Sequence, residues 1–246
     1  MKPMGPIPQE FQAKPLIIRG RPLDYWTAQT PVFVYDMTVV ESRIARFRAA
    51  FPGVDLHYAV KANPFAALLA RMAPLVNLGG GFGIPYFPGE VPVDVEAIGA
   101  ALQEKLTSLP PELAGAKFAI ELGRWLVGEA GVYLTRVIDR KESRGEVFLV
   151  CDGGLNHQLA ATGNLGTVVR RNYPIAVANA PAGAPVEVVS VVGPLCTPLD
   201  RLADQVELPV AKPGDVIAVF MAGAYGLSAS PFEFLGHARP PQILAI

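Results

Sequence analysis

Five short stretches of the 246-residue sequence carry side chains able to do chemistry together. The first is "DLHYAVKANP", Asp55 to Pro64, an apolar strand pattern that ends on Lys61. An amine in apolar surroundings is pushed toward its neutral form, and a neutral amine condenses with aldehydes. Taken alone, Lys61 reads better as a lysine snorkelling out of a strand end. The second stretch is "GGGFG", where Gly79, Gly80 and Gly81 leave backbone N–H groups open to an anion such as phosphate. A plain turn explains the glycines equally well. The third, "ELGR", ends another strand with Glu121 and Arg124. A carboxylate holds a neighbouring ring nitrogen protonated, and a guanidinium suits a phosphate or carboxylate. A surface ion pair is the simpler account of these two in isolation. The fourth, "GPLCTPLD", sets Cys196 and Asp200 in a proline-bounded loop. The thiol is either a proton donor or a small buried hydrophobe. The fifth, "GAYG", offers the Tyr225 hydroxyl to a phosphate, or else a core tyrosine. As a set they match what pyridoxal phosphate requires. The lysine meets the aldehyde and the carboxylate pairs with the pyridinium. The loop, arginine and tyrosine meet the phosphate.

The elements that must position these residues follow from periodicity. "TPVFVYD", Thr30 to Asp36, alternates as a strand. A helix is expected from Thr38, where Thr38 and Glu41 have capping-box spacing and Ile44, Phe47 and Phe51 recur at helical period. "DLHYAV" is a strand and "PFAALLARMA" a helix, with Pro64 suited to its first turn. A short strand runs into the glycines, and a helix capped by Asp94 carries Val95, Ile98, Leu102 and Leu106 on one face. "KFAIELG" is the next strand. This alternation implies parallel β/α units as far as about residue 130. Beyond it, "GVYLTRVIDRK", "EVFLVCDGG", "VEVVSVVGPLC", "DQVELPV" and "DVIAVFMAGAY" read as strands between turns, with no long helix before the tail. That half is expected to be an antiparallel sandwich or barrel.

Composition narrows the function classes. The chain is 51% hydrophobic and 17% charged, with a net charge of -1. Nothing in that balance favours nucleic acid or an anionic membrane surface. No apolar run reaches the roughly 20 residues of a membrane span, and the first residues lack a signal-peptide core. Cys151 and Cys196 do not make a disulfide framework, so a reduced, cytoplasmic protein is expected. No metal-ligand pattern is present.

The motifs "YAVKANP", "GGGFGIPY", "ELGRWLVGEAG", "CDGGLNHQLAATGN", "GPLCTPLD" and "GAYGLSASPFEFLGH" together resemble the alanine-racemase-like pyridoxal phosphate decarboxylases. The likeness is greatest to the diaminopimelate-decarboxylase-like branch, including enzymes tied to exosortase systems and to carrier-protein-bound substrates. It implies a role for each residue. Lys61 holds the cofactor aldehyde, Gly79, Gly80 and Gly81 form the phosphate loop, and Glu121 pairs with the pyridine nitrogen. Arg124 meets phosphate or the substrate carboxylate, and Tyr225 contacts phosphate. Cys196 is the proton donor that reaches into the partner's site of a homodimer. Arg171 and Tyr173, in "RRNYP", lie near where relatives bind the distal end of the substrate, and Asp200 is a further substrate residue. The fold implied is a partial (β/α)8 TIM-like barrel over residues 37–131, with a β-rich domain from residues 1–36 and 132–246. The reaction implied is decarboxylation of a free or carrier-tethered amino acid. An inactive, internally deleted homologue acting as an interaction module is one alternative, and racemisation is another.

The sequence departs from that family's pattern in two places. Only "ANPFAALLARMAPLVNL" joins Lys61 to Gly79, so the middle strands of a barrel are missing, with a junction near Val76 and Asn77. In an intact ring the glycine strand and the "ELGR" strand come just before the lysine strand. A direct step from the lysine strand back to the glycine strand would be a left-handed crossover, which chains avoid. A new strand order or an unusual link is therefore expected, together with an open three-stranded parallel sheet. The family's cofactor-stacking histidine has no counterpart, His57 included. The second departure is Thr197, where diaminopimelate enzymes usually carry Glu, and it favours another substrate.

Overall fold

A computed structural model describes residues 4–58, 77–108, 118–165 and 170–246. Two sheets organise it, besides a small N-terminal ribbon of β1 (Ile17–Ile18) and β2 (Arg21–Pro22). A single turn, α1 (Leu23–Trp26), leads into β3 (Val32–Asp36) and the helix α2 (Met37–Ala50). The α2 cap is Asp36 rather than Thr38, since its carboxylate accepts the Thr38 N–H at 2.9 Å. An Asp directly before the first turn satisfies a donor that the helix cannot.

Among the described residues the smaller sheet is parallel and has three strands, β4 (Asp55–Tyr58), β5 (Asn77–Gly80) and β6 (Ala119–Leu122). Their order is β4-β6-β5. The "ELGR" strand thus sits in the middle, as in an intact ring, and the lysine and glycine strands never become neighbours. A new strand order is not what the described residues adopt, and the link between Tyr58 and Asn77 lies outside them. Among the described residues the sheet is open, so the barrel expectation reduces there to a three-strand α/β layer. Helix α3 (Val95–Thr107) follows β5, and the Asp94 carboxylate accepts the Ala97 N–H at 2.9 Å, as the sequence predicts. The helix expected over "PFAALLARMA" lies outside the described residues.

The larger sheet has eight strands. After the turn α4 (Arg124–Val127) come β7 (Gly131–Ser143), β8 (Glu146–Cys151), β9 (Ile175–Val177), β10 (Val186–Val192), β11 (Arg201–Pro209), β12 (Val216–Val219) and β13 (Gln242–Ala245). The path runs β11-β10-β8-β7-β12-β9, with β3 on β7 and β13 on β3. Strand β7 changes partners beside a bulge between Val137 and Asp139, pairing with β12 and β3 up to Arg136 and with β8 from Val137 onward. Bulges bend sheets toward closure, and the result is nearly barrel-like. It is not purely antiparallel, because β8 pairs with β10, and β3 with β13, in parallel. The tail holds β13 and short 3-10 turns instead of a helix.

Alternation along β3 explains why it joins both halves. Val32 and Val34 belong to the core under the helices, while Phe33 and Tyr35 belong to the barrel interior. Strand β12 divides likewise, Val216 and Ala218 to one side and Ile217 and Val219 to the other. Period-two side chains on a strand covered on both faces give this pattern. Each fully buried side chain contributes about 1.5–3 kcal/mol.

A histidine ties the tail to the barrel. His157 is buried, with Nδ1 3.1 Å from the Tyr133 hydroxyl and Nε2 3.1 Å from the Ala238 carbonyl oxygen. The Tyr133 O–H can donate to Nδ1 while Nε2–H donates to Ala238. Burial lowers this ring from an ordinary 6.5 to about 4. Because the folded value is depressed, the neutral ring's contribution is complete above about pH 6.5 and is lost as pH falls toward 4. Stability is expected to fall across that window by up to about 1.4 kcal/mol per pH unit. A urea-unfolding series against pH checks it, and His157→Gln should remove that part of the slope.

Candidate active site

The glycine run is shaped by its neighbour strand. Gly80 is the register partner of Glu121, and a Cβ on Gly80 would stand 1.9 Å from the Glu121 carbonyl oxygen. Gly79 and Gly81 have φ of 82° and 92°, and a Cβ on either would project into open space. The first constraint holds the strand tight to β6. The other two turn the backbone outward at a conformation that L side chains avoid. His57 of β4 is also a register partner of Glu121, so the carboxylate strand is flanked by both others.

Past Glu121 the chain turns through Gly123 into α4. Trp125, Leu126 and Val127 are buried, which leaves Arg124 exposed at the rim. Opposite it, the loop after β12 is drawn in by backbone contact. The Gly223 N–H donates to the Gly128 carbonyl at 3.1 Å, and the Ala222 N–H to Gly131 at 2.9 Å. A Cβ on Gly223 would meet the Val127 carbonyl oxygen at 1.6 Å. Two residues later Tyr225 takes φ of 55°, a strained value for a tyrosine, and its ring lies 5.1 Å from the Arg124 guanidinium carbon. Such outliers persist where surroundings over-determine them, often at functional sites.

These residues enclose a cavity of about 380 Å³ lined by residues 79–83, 121–124 and Tyr225. Of the residues singled out in the sequence, it brings together Gly79, Gly80, Gly81, Glu121, Arg124 and Tyr225. The outward glycine backbone, a cation and a hydroxyl make it suited to a phosphate, with Glu121 along the same wall. A phosphorylated cofactor therefore fits the residues present. Lys61 lies outside the described residues.

Other expected site residues are placed elsewhere. Arg171 forms a salt bridge with Glu90 at 3.2 Å and stacks on Phe87 at 3.8 Å. Tyr173 packs on Tyr86 with ring centroids 4.8 Å apart. Neither lines the cavity, though the Tyr86 ring centroid lies 5.6 Å from the Arg124 guanidinium carbon. Cys196 is exposed and also lies off the lining. Cys151 is buried, and burial pushes its thiol well up, so it is an inert core thiol.

Asp200, expected to be a substrate residue, is buried off the cavity lining. It is 2% exposed, and its two carboxylate oxygens accept the Leu155 N–H at 2.6 Å and the Leu195 N–H at 2.7 Å. Ideal Cβ atoms on Gly154 and Gly193 would lie 2.1 Å and 2.4 Å from its oxygens. The carboxylate braces the loops at Leu155 and Leu195. Tyr86 is the site neighbour that sequence reasoning missed. Its signal was its place in "GGGFGIPY", five residues beyond Gly81.

The family model for the pyridoxal-dependent decarboxylase C-terminal sheet domain matches residues 32–223. The chain belongs to that family. It is 44% identical over 176 residues to the L-glutamyl-[BtrI acyl-carrier protein] decarboxylase of Niallia circulans, covering 69% of this chain and 40% of that one. It is 34% identical over 173 residues to the diaminopimelate decarboxylase of Methanothermobacter thermautotrophicus, covering 69% and 38% respectively. Among solved structures it is similar to diaminopimelate decarboxylase from m. jannaschii in co-complex with L-lysine. There the TM-score is 0.60 at 27% identity, over 73% of this chain and 39% of that one. The chain thus spans about 40% of the length of the curated relatives it matches.

Proposed function

We propose that this chain is a pyridoxal phosphate-dependent amino-acid decarboxylase, with the cofactor phosphate held at Gly79, Gly80 and Gly81 by Arg124 and Tyr225. The observation that carries this reading is the convergence of those residues with Glu121 on one cavity. Bound there, pyridoxal phosphate supplies an electron sink for the bond that loses CO₂. Glu121 would keep the ring nitrogen protonated, since a nearby negative charge favours the cationic form. Lys61 would be the residue that holds the cofactor's aldehyde end. Cys196, exposed and off the lining of its own chain's cavity, delivers the returning proton to the cavity of a second copy. Thr197 and the carrier-protein relative favour a carrier-tethered or otherwise altered amino acid over diaminopimelate itself.

The three-stranded sheet, open among the described residues, favours a second reading, a shortened homologue that keeps the cofactor site without turnover. One experiment separates the two. The purified chain is titrated with pyridoxal phosphate, reduced with borohydride and mapped by mass spectrometry, and CO₂ release is followed with carrier-tethered glutamate and diaminopimelate. Cofactor mass on Lys61 with CO₂ release is expected. Mass on Lys61 without CO₂ supports the second reading, and no mass on Lys61 overturns both.

A further inference from the structure

Arg124 reaches the cavity on a flexible stem, and something must aim it. Among the described residues no carboxylate forms a salt bridge with it. Its guanidinium lies instead between two aromatic rings, 5.1 Å from the Tyr225 centroid and 5.6 Å from that of Tyr86. Tyr225 already lines the cavity, but Tyr86 does not. We propose that Tyr86 is a positioning residue, whose ring holds the Arg124 guanidinium against the phosphate end of the cavity. This rests on the reading of Arg124 as a phosphate contact.

Tyr86 is itself built in firmly. It is 7% exposed. The Glu90 carboxylate accepts the Tyr86 and Phe87 backbone N–H groups at 3.0 Å and 3.2 Å. Gly5 packs so closely that a Cβ on it would stand 1.8 Å from the Tyr86 carbonyl oxygen. The far side of the ring is covered by Tyr173 at 4.8 Å. Burial raises both phenols, that of Tyr173 up to about 12, so both remain neutral hydroxyls at physiological pH. A neutral ring gives the cation an attractive face without neutralising it. An ion-pairing carboxylate in the same place would compete with the phosphate. Aromatic support therefore orients Arg124 and leaves its charge for the ligand.

The same packing gives Tyr173 a part in the site without cavity contact. It backs Tyr86, which backs Arg124. The "RRNYP" segment is thereby linked to the phosphate end through packed rings.

A double-mutant cycle tests the proposal in the full chain. The dissociation constant for pyridoxal phosphate and the thermal midpoint are measured for wild type, Tyr86→Phe, Tyr86→Leu, Arg124→Met and the Tyr86→Leu/Arg124→Met pair. Tyr86→Phe keeps the ring and should bind within about twofold of wild type. Tyr86→Leu should weaken binding about tenfold, with no further loss once Arg124 is already Met. The midpoint change from losing Tyr86 should appear in both backgrounds, which separates packing from aiming. Equal weakening by Tyr86→Leu in both backgrounds would overturn the positioning role while leaving the cofactor site intact. Absence of binding by wild type, or binding unchanged in Arg124→Met, would instead remove the phosphate reading and this inference with it.

Discussion

Gly80→Ala should abolish cofactor retention and lower stability by roughly 3 kcal/mol. The added methyl has no rotamer in which to escape. It would sit 1.9 Å from the Glu121 carbonyl oxygen and 3.0 Å from the carbonyl carbon, both backbone atoms. Relief requires β5 to move off β6, and that displaces the glycine edge from Glu121 and Arg124 together. Gly79→Ala and Gly81→Ala are the controls. Each meets open space, so each incurs only a left-handed backbone penalty of about 1–2 kcal/mol. Urea unfolding with cofactor titration should rank Gly80→Ala as the most damaging of the three. A mild Gly80→Ala with full cofactor binding would show that contact with β6 does not set the position of the glycine edge.

Asp200→Ala should cost about 3–5 kcal/mol, chiefly because two buried N–H groups lose a charged acceptor. That carboxylate and the glycines pressed against it join the loops at Leu155 and Leu195. The loss should appear as a lower urea midpoint at unchanged m-value. A variant of normal stability with weakened substrate binding would return Asp200 to the substrate role that family likeness implied.

Much of the scaffold was legible in local pattern. The alternation of "VFVYD" and the Asp94 cap needed only neighbouring residues to be read, and both stand in the structure. The cavity residues were legible as chemical types at strand ends. What escaped is non-local. Strand β9 is three residues and β13 four, too short for a period to show. The parallel pairing of β3 with β13 joins residues some two hundred positions apart, which no window reveals. The tail carries prolines and the left-handed Leu235, at φ of 57°, which leave it room only for short turns ahead of β13. Tyr86 resembled a core aromatic because it is one. Only the placement of Arg124 makes it more. Asp200 sits in a motif whose family role pointed outward, and its burial shows only when the loops at 154 and 193 converge on it.

The cation at residue 124 comes from the β/α layer, whereas the ring at residue 225 facing it is delivered by the eight-stranded sheet. What fixes their spacing is a seam where Val127, Gly131 and Gly223 meet main chain to main chain, with no side chain between. Recombination that swapped one half for a homologous half would have to preserve both sides of that seam. The two modules are thus constrained to evolve as a pair, and a chimera joined near residue 130 should work only when its loop after β12 comes from the same parent as its "ELGR" turn.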